Sequence, residues 1–240
     1  MAGHSQFSNI KHRKEAQDSK KAKVFTKLRK EIIVSAKIGI PDPGFNPRLR
    51  AAISAARAKN MPKDRIDAAI KEASSPANTD NYDEMRYEGY APGGFAIIVE
   101  ALTDNRNRTA SDVRAAFTKF GGSLGETGSV NFMFNHIGLV EFQKNVASED
   151  EMLEAALEAG ASDVETNDEM HHVICEIELF NEVREKLSAK FGEPENAHLS
   201  WQPQNMINVS GEQAQKLMKL IDILEDNDDV QHVFGNYYFE

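Results

Sequence analysis

A single cysteine, Cys175, stands in the 240-residue chain, so no disulfide can close within it. No short apolar run follows the charges of the first residues, and a secretory signal is therefore not expected. Together these point to a reducing, cytoplasmic location. No stretch of about 18 apolar residues occurs, which excludes a membrane-spanning helix. Neither Cys-x-x-Cys nor His-Glu-x-x-His is present to hold zinc. The glycine-rich run GGSLGETGS (121–129) lacks the Lys-Ser/Thr ending of a nucleotide loop. It also follows a helix and precedes a strand, the reverse of the nucleotide-binding order. Positive φ angles and close backbone approach account for its glycines better. No carboxylate spacing or Ser-His-Asp pattern marks catalysis, since such arrangements are geometric rather than sequential. No cofactor or metal site is expected from these motifs.

What the chain has in excess is charge, unevenly placed. Residues 1–76 hold 17 Lys/Arg against 7 Asp/Glu, leaving 11 and 31 of the chain's 28 and 38 for the remainder. The net charge of −10 thus averages a segment of +10 with one of −20. Such asymmetry predicts a basic end that meets a polyanion and an acidic body that stays clear of it. The acidic faces are also a candidate surface for a protein partner.

Periodicity divides the chain further. Val24, Phe25, Leu28, Ile32 and Ala36 recur at three- and four-residue steps, one face of a helix over about 19–37. Gly39 and Pro41 stop it. Asn46-Pro47 caps a second helix with Leu49, Ala52, Ile53 and Ala56 on its buried face. Pro62 opens a third, carrying Ile66, Ala69, Ile70 and Ala73. The expected class is α+β: an N-terminal three-helix domain (1–76) followed by two ferredoxin-like α/β domains, one inserted in the other. The outer one is read as 82–136 plus 205–240, from strand 95–102, a helix, strand 130–134, strand 206–209, a helix and strand 230–239. The inserted one is read as 137–204, in the order β-α-β-β-α-β, with Ser148 and Glu151 forming a capping box.

The strongest candidate for function is the cationic window Lys11, Arg13, Lys14, Lys20, Lys21, Lys23, Lys27, Arg29 and Lys30. Lys20, Lys23, Lys27 and Lys30 form a stripe that suits phosphate backbones, where counterion release supplies affinity; a solvated helix face is the plain alternative. On this reading, charge reversal at Lys20, Lys23 and Lys27 abolishes binding and leaves folding intact. The tight corner between helices two and three has helix-turn-helix spacing, with Lys63, Arg65 and Lys71 on the third helix. Arg106, Asn107, Arg108 and Thr109, at a strand-to-helix junction, are a candidate phosphate site. The alternative there is capping by Asn107 or Thr109, with the arginines paired to nearby acids. His171 and Cys175 share a strand face with Val173 and Ile177 and read as core.

Several strings carry a family resemblance: GHS at 3–5, NIKHRK at 9–14, FTKL at 25–28, NPRLR at 46–50 and NMPKD at 60–64. They continue with RYEGYAPGG at 86–94, EALTDNRNRT at 100–109 and GGSLGETGSV at 121–130. In these the chain resembles the YebC family, described as transcriptional regulators. One departure is Gln6-Phe7, where the family usually has Lys-Trp after GHS. The resemblance implies a helical domain, two α/β domains and no enzymatic activity. It also implies either DNA binding in transcriptional regulation or, as in related members, action at the ribosome as a translation factor aiding proline-rich stretches. DNA and ribosomal RNA present the same phosphates, so charge alone does not choose between them. A predominance of lysine spread along an arm and a helix favours sequence-tolerant backbone contact.

Overall fold

The computed structural model describes residues 21–75 and 81–239. They form an α+β protein whose N-terminal helices precede two four-stranded sheets. Among them, no helix is long and apolar enough to cross a membrane.

The N-terminal part holds α1 (Lys21–Ile38), α2 (Pro47–Ala58) and α3 (Lys63–Ala73). The apolar spacing fixes what each helix buries. Leu49, Ala52, Ile53 and Ala56 of α2 face inward with Ile32, Ile33 and Ala36 of α1 and Ile66 and Ala69 of α3. Asn46 begins α2 as expected: its side-chain oxygen accepts from the Leu49 amide at 3.0 Å. The α2–α3 corner turns through Asn60, held at φ 59°, and is plugged by buried Met61.

Beyond the helices come β1 (Asp83–Tyr90), β2 (Ala96–Thr103), α4 (Arg106–Lys119) and β3 (Ser123–Leu124). The next stretch is β4 (Phe134–Gln143), α5 (Glu149–Ala159), β5 (Asp163–Thr166), β6 (Met170–Cys175), α6 (Phe180–Phe191) and β7 (Asn196–Pro203). The last described elements are β8 (Ile207–Val209), α7 (Gly211–Asp226), β9 (Val230–Gly235) and β10 (Tyr237–Phe239).

These residues fall into two compact units. The first comprises described residues 21–27, 81–135 and 201–239, and the second 28–75 and 136–200. In the first unit the sheet runs β3-β1-β2-β9, with α4 and α7 packed on one face. Val99, Phe117, Leu217, Leu220 and Ile221 lie at the centre of that layer. The other face of the sheet packs against Phe134 and Trp201. In the second unit the sheet runs β5-β6-β4-β7. Its chain order β4-α5-β5-β6-α6-β7 is the β-α-β-β-α-β pattern.

The first unit differs from the sequence expectation in its strands. Residues 130–134, expected as a strand, contain a single 3-10 turn at Asn131–Met133, and β4 starts only at Phe134. The cause is the buried carboxylate of Glu88, which takes the backbone N–H groups of Val130 and Asn131 at 3.0 Å each and so removes them from any ladder. The strand that fills the sheet instead is β1, which the sequence reading passed over. It pairs with β2 along its whole length and with β3 at its end. Residues 206–209 and 230–239 also rearrange. The second of these breaks at Asn236, whose side chain accepts from the Ala96 amide at 2.8 Å, and β10 pairs in parallel with β8 outside the main sheet.

Candidate nucleic-acid interface

The candidate cations divide by what already holds them. Lys11, Arg13, Lys14 and Lys20 lie outside the described residues, as does the side chain of Lys21. Lys23 and Lys27 step along α1 as the periodicity implies, but they point at the C-terminus of α7. Lys23 Nζ donates to the Asp226 carbonyl at 3.0 Å and lies 3.7 Å from its carboxylate. Lys27 Nζ donates to the Glu225 carbonyl at 2.7 Å. A helix C-terminus leaves carbonyls without intrahelical partners and carries partial negative charge, so two ammonium groups are well placed there. Burial pulls the Lys27 ammonium below the usual lysine range, against the raising pull of Glu225, Asp228 and Asp226.

Further along, Arg29 pairs with Glu72, and Lys30 also has a partner. Arg48 forks onto Glu31 at 2.8 and 3.2 Å. On the second unit Arg50 pairs with Glu185 and Lys59 with Glu195 at 3.4 Å, while Arg184 donates to the Pro47 carbonyl at 3.3 Å. Part of the basic segment's charge is therefore met by carboxylates and carbonyls of the acidic remainder. The ion pairs among these lie at the surface and contribute little each.

Lys27 illustrates the difference. The Lys27→Glu variant is expected to lower the unfolding free energy of the first unit by about 1–2 kcal/mol, because it sets a carboxylate against the α7 carbonyls, Glu225 and Asp226. Denaturation followed by the fluorescence of the sole tryptophan, Trp201, checks it, with Lys63→Glu unchanged as the contrast. A lowered stability in the Lys27→Glu variant would separate Lys27 from the outcome "binding lost, folding intact" that the lysine pattern alone predicts.

What remains exposed gathers at the α2–α3 corner. Arg57 lies in the last turn of α2, and Lys63 opens α3. Both are exposed, and neither has a carboxylate partner among the described residues. Arg65, exposed and with an interaction of its own, and exposed Lys71 follow on α3. Lys63, Arg65 and Lys71 are thus where the corner reading puts them. Arg57 escaped notice, although a basic residue in the turn before a tight corner was a readable signal. The outward face of α3 also carries exposed Asp64 and Asp67.

The junction before α4 is organised by acids. Its N-cap is Asn105, whose side chain accepts from the Arg108 amide at 3.0 Å, rather than Asn107 or Thr109. Arg106 forks onto Asp83 at 2.7 and 2.8 Å, and this pairing holds the Asp83 carboxyl below its usual range. Arg108 reaches both Asp229 and Asp104 at 2.7 Å. Thr109 is buried against Asp229 at 2.7 Å, and Asn107 is exposed. A phosphate at this junction would have to displace three carboxylates, an arrangement that matches the alternative of arginines paired to nearby acids.

Two other sequence candidates resolve into core. His171, buried, has one ring nitrogen 2.8 Å from the Thr166 hydroxyl and the other 3.1 Å from the Ala147 carbonyl. His172 lies 3.0 Å from Glu141. Burial pushes the Cys175 thiol up to about 11, and a thiol so held is a poor nucleophile. Among the described residues no group of three or more His, Cys, Asp and Glu is arranged to hold a metal ion. In the glycine-rich run, Gly121 sits at φ +83°, and a Cβ on Gly122 would come within 2.6 Å of the Tyr90 carbonyl. The loop is shaped to lie against β1.

Comparison with known proteins places the chain. A crystal structure of Aq1575, a conserved hypothetical protein from Aquifex aeolicus, is similar at 44% identity and a TM-score of 0.85, covering 93% of this chain and 92% of that one. Residues 5–76 match the family model described as the TACO1/YebC protein N-terminal domain. Residues 82–237 match the model described as the TACO1/YebC second and third domain, which bears a transcriptional-regulator designation. With the two models running in register from residue 5 to residue 237, the chain belongs to the TACO1/YebC family.

Proposed function

We propose that this protein is a non-enzymatic regulator of gene expression that binds structured RNA, as on the ribosome, through the α2–α3 corner and the basic residues that precede α1. The observation that carries this reading is the outward face of α3. Lys63, Arg65 and Lys71 alternate there with Asp64 and Asp67. A helix seated in the major groove would bring those two carboxylates between two phosphate strands, a costly placement. A corner that touches a phosphate backbone from outside uses Arg57, Lys63 and Arg65 and leaves the acids in water. Recognition of that kind ignores sequence and follows the shape and charge of a folded RNA. The second reading, a DNA-binding regulator of transcription, is favoured by the designation of the family model over residues 82–237.

The test is co-sedimentation with ribosomes beside a DNA competition assay, both at about 0.15 M salt. Ribosome association is expected, together with DNA binding that does not distinguish one site from scrambled sequence. Replacing Arg57, Lys63 and Arg65 together by alanine is expected to weaken RNA binding about tenfold or more. The slope of log K against log[salt] should become shallower by about 2. A sharp preference for one DNA site, or undiminished RNA affinity in the triple variant, overturns the proposal.

A further inference from the structure

The second unit carries, on a different helix from those of the basic corner, a surface of opposite character. Helix α5 buries Met152, Ala155, Ala156 and Ala159 against its sheet. Its outer positions are not simply polar: Leu153 is 43% exposed and Leu157, one turn on, 56%. The strip continues past Gly160, the left-handed cap of the helix, to Leu179, which is 38% exposed. A Cβ built on Gly160 would touch Leu179 Cδ1 at 3.7 Å, so Leu179 lies at the C-terminal end of this helix.

Beside that strip runs a row of carboxylates. Asp150, Glu154 and Glu158 recur at four-residue steps, all exposed and none with a basic partner among the described residues. Like charges at this spacing repel along a helix. Lysines around the helix are directed elsewhere: Lys144 to Glu149 at 3.0 Å, Lys186 to Glu182 at 2.7 Å and the Ala159 carbonyl at 3.4 Å, and Lys190 to Glu151 and the Phe191 ring. A row of unneutralised acids next to a row of exposed leucines is locally unfavourable twice over, and one kind of occupant relieves both.

We infer that the outer face of α5 is a docking site for a lysine- or arginine-rich amphipathic helix of a partner protein. Two apolar anchors four residues apart would lie on Leu153 and Leu157, and cations one row over would meet Asp150, Glu154 and Glu158. A second copy docking through the same face would set carboxylate against carboxylate, and a nucleic acid is repelled by the same row. The inference does not rest on the RNA reading, because none of these residues belongs to the basic corner.

The test uses the full chain and a labelled synthetic peptide of leucine and lysine, about 18 residues or five helical turns long. A peptide of leucine and glutamate in the same pattern is the control. Fluorescence anisotropy measures binding, and backbone amide shifts locate it. The lysine peptide is expected to bind with shifts centred on α5. The pair Leu153→Ser with Leu157→Ser, which leaves net charge unchanged, should weaken it about tenfold. Met218→Ser, on exposed apolar surface elsewhere, should leave it unchanged, and Glu154→Gln with Glu158→Gln should flatten its salt dependence. Where serine lowers the melting temperature, Leu153→Gln with Leu157→Gln gives the same comparison with a better helix former. Unchanged binding in the leucine variants would mean that bulk charge alone attracts the peptide, and the inference fails. It fails equally if sedimentation shows a dimer that those variants abolish.

Discussion

Replacing Asp229 by alanine is expected to cost the first unit about 3 kcal/mol of unfolding free energy. Asp229 is 4% exposed and precedes β9. Its Oδ2 accepts from the Thr109 hydroxyl and from Arg108 Nη2, each at 2.7 Å, and lies 3.3 Å from the Thr103 hydroxyl. Its carbonyl accepts from the Leu102 amide at 2.8 Å. One carboxylate thus joins the end of β2, the first turn of α4 and the start of β9. Alanine takes a shared charged acceptor from two buried hydroxyls, which keep only each other at 2.7 Å and, for Thr109, the Asn105 carbonyl at 3.2 Å; a hydrogen bond to a charged group contributes more than an ordinary one. Arg108 retains Asp104, and it is half exposed, so the guanidinium contributes only a minor share of the loss. Asparagine keeps an acceptor of similar shape and should cost about 1–2 kcal/mol. Urea unfolding followed by Trp201, which sits in the same unit with Phe134 and Phe234, reads the difference directly. A midpoint that does not move in the alanine variant refutes this account of how α4 is held.

Glu88→Gln is the second large effect, and it depends on pH. Burial alone would raise the Glu88 carboxyl, but the backbone N–H groups of Val130, Gly128 and Asn131, with Arg86 at 3.0 Å, outweigh it and hold the group below the ordinary glutamate range. A carboxylate whose folded value is depressed adds stability above its unfolded value, about pH 4.3, and loses it as pH falls through the folded one. Wild type should therefore exceed the glutamine variant by about 2–3 kcal/mol at neutral pH. The glutamine amide would turn a donor toward groups that are themselves donors. The two melting curves should converge in acid. The same substitution frees the loop at 121–129, so limited proteolysis at neutral pH should cut there first. Parallel melting curves at every pH would show that the charge of Glu88 does not hold the loop.

These two carboxylates also mark where sequence reading stopped. Elements with a local signature were legible: the 3.6-residue spacing in α2 gave its buried face, and Ser148 with Glu151 gave a capping box that the hydrogen bonds reproduce. Strand β1, DEMRYEGY, was not legible. It has no run of apolar residues, and its buried Glu88 looks like surface until the loop it captures is known. The junction at 103–109 read as a phosphate site for the same reason, since Asp83 and Asp229 are distant in sequence. The lysine stripe was legible as charge and not as pairing. The groups that hold Lys23 and Lys27 lie 203 and 198 residues downstream, beyond any spacing rule.

The insertion of residues 136–200 between two segments of the first unit has a consequence for biosynthesis. Strand β2, with its apolar core Ala96, Ile97, Ile98 and Val99, takes its second neighbour from β9, more than a hundred residues further along. At roughly 5–20 residues per second a ribosome needs on the order of ten seconds to deliver that neighbour. Residues 136–200 emerge whole in the interval and can settle first. Until β9 arrives the nascent chain displays a bare apolar edge, the kind of surface that chaperones shield and that aggregation exploits.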